Sequence, residues 1–272
     1  MARAKREVTT RGADASLTSA VWPLPEGEIH YLWWFIQGSI MEPEMRGRLR
    51  RAWGFCGRHA WGALAVEAAY RSGYYFHGPA VLYQDLMERG ARALGRTAAA
   101  PARRLARRLR ATGPCPVCEM GFARLGRGAA PEARIAQGRD ARPLQTFAEK
   151  TQAHWWRTVC GVCLGAATAP RCRPHLVEAL TRGGSVDLRA QGELAESLRA
   201  HVTAYARSFR WECRDTETDE DRAALVSAVG WCSGWQAWLP LLTGRSSTEE
   251  GAPHLAPHEA RPAPGVDALP VA

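Results

Sequence analysis

Cysteine and histidine recur in this chain at short, repeated spacings, and those spacings limit what chemistry they can do. Two stretches have the form CxxC: Cys115-Pro-Val-Cys118 and Cys160-Gly-Val-Cys163. Two more have the form CxxH: Cys56-Gly-Arg-His59 and Cys172-Arg-Pro-His175. Two cysteines separated by two residues can turn both sulfurs toward one metal ion. A CxxH at the start of a helix can supply the remaining two ligands of a closed, tetrahedral Cys3His zinc site. A helix N-terminus also favours the thiolate form of its first cysteine.

The leading grouping expected from chain order is Cys115, Cys118, Cys172 and His175, a CPxC followed by its CxxH. Cys160 and Cys163 leave alternatives open. They could join Cys172 and His175 in a compact site, or meet Cys56 and His59 across the molecule in a second Cys3His site. They could also be small buried hydrophobes, together with Cys56, as free cysteines commonly are. Cys213 and Cys232 have no ligand spacing and are expected in the core.

A CPVC can also run thiol–disulfide exchange, but that chemistry favours a strand before the first cysteine. An arginine-rich helical segment precedes Gly113 instead. The chain contains no Gly-Lys-Ser/Thr, GxSxG, HExxH or GxGxxG, and its only lysines are Lys5 and Lys150. A P-loop is therefore excluded, and a Schiff-base lysine would have to be one of those two. His30, His77, His154 and His201 stand alone on helical segments, with no nucleophile or carboxylate at a telling spacing. No catalytic residue and no small-molecule substrate are indicated.

The 272 residues carry a formal charge of +9. Residues 1–11 contribute +3, and the five arginines of "RRLARRLR" contribute +5, so charge elsewhere nearly balances. In that helix Leu105 and Leu109 take one face and Arg103, Arg104, Arg107 and Arg108 the other. This is either a solvated face or an anion-binding one, for nucleic acid or an acidic partner. The scarcity of lysine beside 34 arginines also fits a GC-rich bacterial genome. The N-terminus has no apolar segment of the secretory kind. The uncharged run 223–244 is long enough to cross a bilayer but carries Gln236, Pro240 and three glycines. Its Trp231, Trp235 and Trp238 fall on one helical stripe, expected to pack against residues 190–211. A cytoplasmic protein with no integral membrane segment is expected, its cysteines being thiols or ligands.

The elements that must position these ligands are helical. Apolar periods of 3.6 residues mark helices in 27–40, 43–53, 79–94, 144–164, 173–182, 190–211 and 218–239, and alternating strand patterns are nearly absent. The expected fold is all-α. "GFCGRHAWGAL" (54–64) aligns with "PRCRPHLVEAL" (170–180), and "CPVC" has a counterpart in "WPLP" (22–25). Two degenerate, repeat-related helical modules follow: 21–98, whose CPxC cysteines are replaced, and 113–244, with an insertion near 119–143. An arginine-rich linker, 99–112, joins them. Residues 1–20 and 245–272 read as a basic and a Pro-rich disordered tail.

"WGFCGRHAW", "GPAVLYQDLMERG", "CPVC", "RCRPHL" and "YARSFRWECRDTETDEDRAALVSAVG" together resemble a bacterial family of helical proteins with tandem CPxC…CxxH modules, of uncharacterised activity. The resemblance covers most of 22–240 and implies zinc-finger-like, metal-binding modules. This chain departs from it at Trp22 and Pro25, which stand in ligand positions, and in its added Cys160 and Cys163. Apolar packing around Trp22 is then expected to replace a metal in the first module. The function expected is a zinc-stabilised binding or adaptor protein with a protein or nucleic-acid partner. A thiol–disulfide oxidoreductase or open-site metalloenzyme is the alternative.

Overall fold

The computed structural model describes residues 23–70, 76–95, 101–120, 130–166 and 170–243. Both expected tails and Trp22 lie outside them. All regular structure among the described residues is helical. The helices are α1 (Glu26–Ile36), α2 (Pro43–Ala52), α3 (Gly57–Tyr70), α4 (His77–Gly95), α5 (Ala102–Leu109), α6 (Pro116–Met120), α7 (Glu132–Gly138), α8 (Arg142–Lys150), α9 (Gln152–Trp155), α10 (Arg173–Arg182), α11 (Leu188–Ser208), α12 (Asp219–Ser233) and α13 (Leu239–Thr243). None is long and apolar enough to cross a membrane.

Local chemistry accounts for the main starts and stops. Pro43 occupies the first turn of α2, where its missing N–H costs nothing. Thr218 caps α12 by accepting from the Asp221 N–H, and Asp221 returns a bond to the Thr218 N–H, a reciprocal capping box. Trp53 ends α2 in the left-handed region at φ 60°, with Gly54 following at φ 88°. That turn aims the chain into Cys56. A Cβ at Gly54 would lie 3.1 Å from Leu86 Cδ1, so a side chain there would have to displace the core as well as strain the backbone.

α4, α11 and α12 pack together as the longest layer, with α3 lying between α12 and the α1, α7 and α8 group. α3 and α12 are buried almost all round, Ala60 to Ala68 on one and Ala223 to Cys232 on the other. Helices apolar on every side are central ones. Trp231, Trp235 and Trp238 are all fully buried, as expected. They do not share one helix, because α12 stops at Ser233 and Gly234 turns at φ 92°. Their ring partners lie outside 190–211. Trp231 meets Trp53 at a ring separation of 6.3 Å and lies against Gly90 of α4. Trp235 stacks on Trp155 at 5.5 Å, and Trp238 stacks on Trp61 at 5.0 Å.

The helix expected over 144–164 is broken into α8, α9 and two single 3-10 turns, Trp156–Thr158 and Val162–Leu164. The break is where the chain bends to present Cys160 and Cys163. Cys232 is buried beside Met87 as expected, whereas Cys213 is only half-buried in a 3-10 turn.

Candidate metal centres

Each CxxH begins a helix in the same way. Cys56 and Cys172 immediately precede α3 and α10, and their carbonyls accept the N–H of Ala60 at 2.9 Å and Leu176 at 2.8 Å. Each CxxC is a tight turn closed by the same bond, Glu119 N–H to the Cys115 carbonyl at 3.0 Å and Leu164 N–H to the Cys160 carbonyl at 3.2 Å. The sequence repeat is thus a repeat of ligand-bearing turns.

These turns form two clusters of three sulfurs and one imidazole, with all ligand atoms of each within 4.8 Å of one another. The first joins Cys56 and His59 to Cys115 and Cys118. The second joins Cys160 and Cys163 to Cys172 and His175. The expected grouping of Cys115 and Cys118 with Cys172 and His175 is therefore corrected, and so is that of Cys56 and His59 with Cys160 and Cys163. The compact alternative for Cys172 and His175 is the observed one. Cys56 and His59 do not lack partners, so apolar packing around Trp22 is not what completes that site.

Chain connections explain the pairing. The Gly161 N–H bonds the Pro170 carbonyl at 2.9 Å, so a short loop brings Cys160 and Cys163 onto the start of α10. Closing that loop costs roughly 1.6 kcal/mol less chain entropy than one reaching back to Cys118. CPVC is instead stitched to α2. The Thr112 N–H bonds the Arg51 carbonyl at 2.8 Å, the Trp53 indole N–H bonds the Arg110 carbonyl at 3.3 Å, and Arg48 pairs with Glu119 at 2.6 Å. α2 leads directly into Cys56.

The distances fit a tetrahedral metal. Metal–sulfur bonds of about 2.3 Å and a metal–nitrogen bond of about 2.0 Å require sulfurs about 3.8 Å apart and S···N separations of about 3.5 Å. In the first cluster Cys56 and Cys118 sulfurs are 3.8 Å apart, and His59 Nδ1 lies 3.3, 3.6 and 3.3 Å from Cys56, Cys115 and Cys118. In the second, Cys163 and Cys172 sulfurs are 3.8 Å apart, and His175 Nδ1 lies 3.3, 3.4 and 3.2 Å from Cys160, Cys163 and Cys172. A disulfide would hold its sulfurs at about 2.05 Å. Both clusters could hold a metal ion.

Proton balance leads to the same chemistry. A hydrogen bond from Cys115, outweighing burial and joined by His59, draws the Cys56 thiol down to about 3. Cys115 is raised by that same bond and by burial, and burial with the Cys56 charge pushes Cys118 up to about 11. In the second cluster Cys160 is lowered by bonds from Cys163 and Cys172. Cys163 is pushed up to about 11 chiefly by Cys160, and Cys172 is raised by both. In each cluster the neighbouring sulfurs favour one thiolate and disfavour the others. A bound dication would replace the thiol protons.

Burial lowers the His59 pKa, but Cys56 and Glu28 outweigh it and raise it to about 9. Glu28 stands behind this ring, with Oε1 3.2 Å from Nε2, close enough to pair though too oblique for a well-formed hydrogen bond. Arg58 holds the other carboxylate oxygen at 2.8 Å. Carboxylate behind imidazole is the usual arrangement for orienting a metal-ligating histidine. Glu28 was not foreseen, because nothing in "GEIHYLWW" marks one first-turn acid for that task.

The turn after α12 touches both clusters. Ser233 Oγ bonds the Phe55 carbonyl at 3.0 Å, and the Trp61 indole bonds the Gly234 carbonyl at 3.0 Å, beside the first site. In the second, Cys160 chiefly raises the Cys163 pKa, and the Trp235 backbone N–H acts in the opposite sense. Arg173, next to Cys172 and buried, bonds the carbonyls of Cys232 at 2.8 Å and Leu109 at 2.9 Å.

The remaining candidates lie elsewhere. Arg103, Arg104, Arg107 and Arg108 are exposed on α5, with Leu105, Ala106 and Leu109 buried beneath. His30 accepts the Ala130 N–H at 2.7 Å, and His77 lies against Phe209. His154 and His201 face a groove of about 330 Å³ between α9, α11 and α12, where His201 is held by Asp221 at 2.8 Å. No protein-family model matches the chain, and no match is found among curated proteins or solved structures.

Proposed function

We propose that this is a binding protein whose helical fold is fixed by two structural zinc ions, one in each Cys3His cluster. The observation that carries the reading is the spacing of the two ligand sets, which matches tetrahedral zinc in both. Thiolate and imidazole ligands in that geometry suit zinc. Four protein ligands leave no position for a substrate or an activated water, so these would be structural rather than catalytic centres. The first metal would tie α3 to the 110–119 segment, far apart in sequence, and the second would pin the 160–166 turn to the nearby start of α10. Structural zinc contributes roughly 10–16 kcal/mol in small zinc domains, comparable with the whole stability of a typical fold. The surface so fixed would engage a protein or nucleic-acid partner, in a reducing compartment such as the cytoplasm.

The exposure of Cys118, 3.8 Å from Cys56, favours a second reading as a thiol–disulfide enzyme. Elemental analysis and native mass spectrometry of protein purified under reducing conditions separate the two. The zinc reading predicts two zinc ions per chain, redox-silent, whose chelation unfolds the protein. A metal-free, equally stable protein that cycles a Cys115–Cys118 disulfide would replace it with the enzyme.

A further inference from the structure

From Arg89 through Cys118 the sequence holds eight arginines, Arg89 included, and no aspartate or glutamate. Across the rest of the described surface, arginines are mostly matched: Arg48 with Glu119, Arg50 with Asp85, Arg58 with Glu28, Arg199 with Glu196 and Arg222 with Glu217. Arg103, Arg104, Arg107 and Arg108 make no ion pair with any described residue. Like charges at i, i+4 weaken a helix by a few tenths of a kcal/mol per pair. Within the described fold only the helix dipole offsets this, favouring Arg107 and Arg108 in the last turn of α5.

The helix that carries them is held firmly. Leu105, Ala106 and Leu109 are buried, α5 packs along α10, and buried Arg173 bonds the Leu109 carbonyl at 2.9 Å. Arg110 continues the basic edge, reaching Thr181 at 3.3 Å. Because Cys172 is the N-cap of α10, the second cluster fixes the platform under the arginines.

We propose that the exposed face of α5 docks on the phosphate backbone of duplex DNA without sequence preference. The inference rests on the reading of this protein as a zinc-stabilised binding module and names its partner. Arg103 and Arg107 form one row and Arg104 and Arg108 the next, with about 6 Å of helix rise within each row. Guanidinium forks match phosphate oxygens bidentately. α5 carries no aromatic side chain on which unstacked bases could lie, which disfavours single strands. The B-form major groove, about 12 Å wide, admits a helix about 10–12 Å across, whereas the deep and narrow A-form groove does not.

The test is fluorescence anisotropy of the zinc-loaded full chain with a mixed-sequence DNA duplex, titrated across salt concentrations. Four phosphate contacts should contribute about −3.6 to the slope of log affinity against log salt, or roughly a 150-fold loss between 50 and 200 mM. Arg107→Gln should reduce the steepness by about one. The variant with Arg103, Arg104, Arg107 and Arg108 all changed to Gln should lose about 3.6 of slope while keeping two zinc ions and its melting temperature. An unchanged slope in that variant overturns the inference, as does tighter binding of duplex RNA, single strands or an acidic peptide. Wild-type protein that carries two zinc ions yet ignores the duplex overturns the DNA inference alone. Zinc-free protein overturns the metal reading instead.

Discussion

Gly230 in α12 and Gly192 in α11 are both helical glycines, yet replacing each with alanine should have opposite effects. Alanine is favoured over glycine inside a helix by about 1 kcal/mol. At Gly192 a new Cβ would find only Leu94 Cβ at 3.9 Å, an ordinary contact, so the substitution should stabilise by up to about 1 kcal/mol. At Gly230 the Cβ would lie 2.1, 2.3 and 2.6 Å from Cε2, Cζ2 and Cδ2 of Trp235. Carbon pairs prefer about 3.5–4.0 Å, so the indole must retreat by more than an ångström. It cannot do so freely, being fully buried, stacked 5.5 Å from Trp155 and tilted against Trp61 at 5.6 Å. Overpacking of this kind costs about 1–3 kcal/mol or more, which outweighs the propensity gain. Gly230→Ala should therefore lower the melting temperature by several degrees, at about 2–4 °C per kcal/mol for a chain of this size. Because the Trp235 backbone N–H is one of the groups that lower the Cys163 pKa, against the larger raising effect of Cys160, moving it should also speed zinc transfer from the second site to a chelator. Calorimetry and a chromogenic zinc assay read both effects. A Gly230→Ala protein as stable as Gly192→Ala would refute the packing of Trp235 on α12.

Three further outcomes follow from particular contacts. Thr218→Ala should cost about 1 kcal/mol in urea unfolding at neutral pH, through loss of the α12 cap. For its partner Asp221, burial raises the pKa but bonds from Thr218 and His201 outweigh it and keep the group below its ordinary value. That contribution is present above the unfolded carboxylate pKa and fades as pH falls through the lower folded value, so the wild-type advantage over Thr218→Ala should narrow only in strong acid. Cys118 is the exposed ligand of its cluster, while Cys160 and Cys172 are buried. Timed alkylation with peptide mapping should modify Cys118 first and release the first site's zinc before the second's, and simultaneous modification of both clusters would contradict that order.

The all-α architecture was legible because apolar residues recur at helical period from Ile29 to Val229, a property local to each segment. So was the start of α10 at Cys172, since the CxxH alignment with Cys56 reflects a shared local turn. Which CxxC serves which CxxH was not legible. That depends on where α2 and the 110–119 segment lie, and reading both modules in one chain order assigned CPVC to the wrong histidine. The continuous pattern over 144–164 hid the bend at Cys160, because a helix interrupted by 3-10 turns keeps much of its apolar period. The tryptophan stripe predicted burial correctly and its helix wrongly: Gly234 stops α12 while the apolar pattern continues through Trp235 and Trp238.

Counting zinc in ligand variants tests the pairing most directly. Native mass spectrometry after exposure to a mild chelator would compare wild type, Cys118→Ala, Cys172→Ala and the double variant. Clusters of Cys56, His59, Cys115 and Cys118 and of Cys160, Cys163, Cys172 and His175 predict two, one, one and zero zinc ions. If Cys118 and Cys172 shared one metal, the double variant would lose no more zinc than either single one, and a zinc ion surviving there would contradict the two-site arrangement.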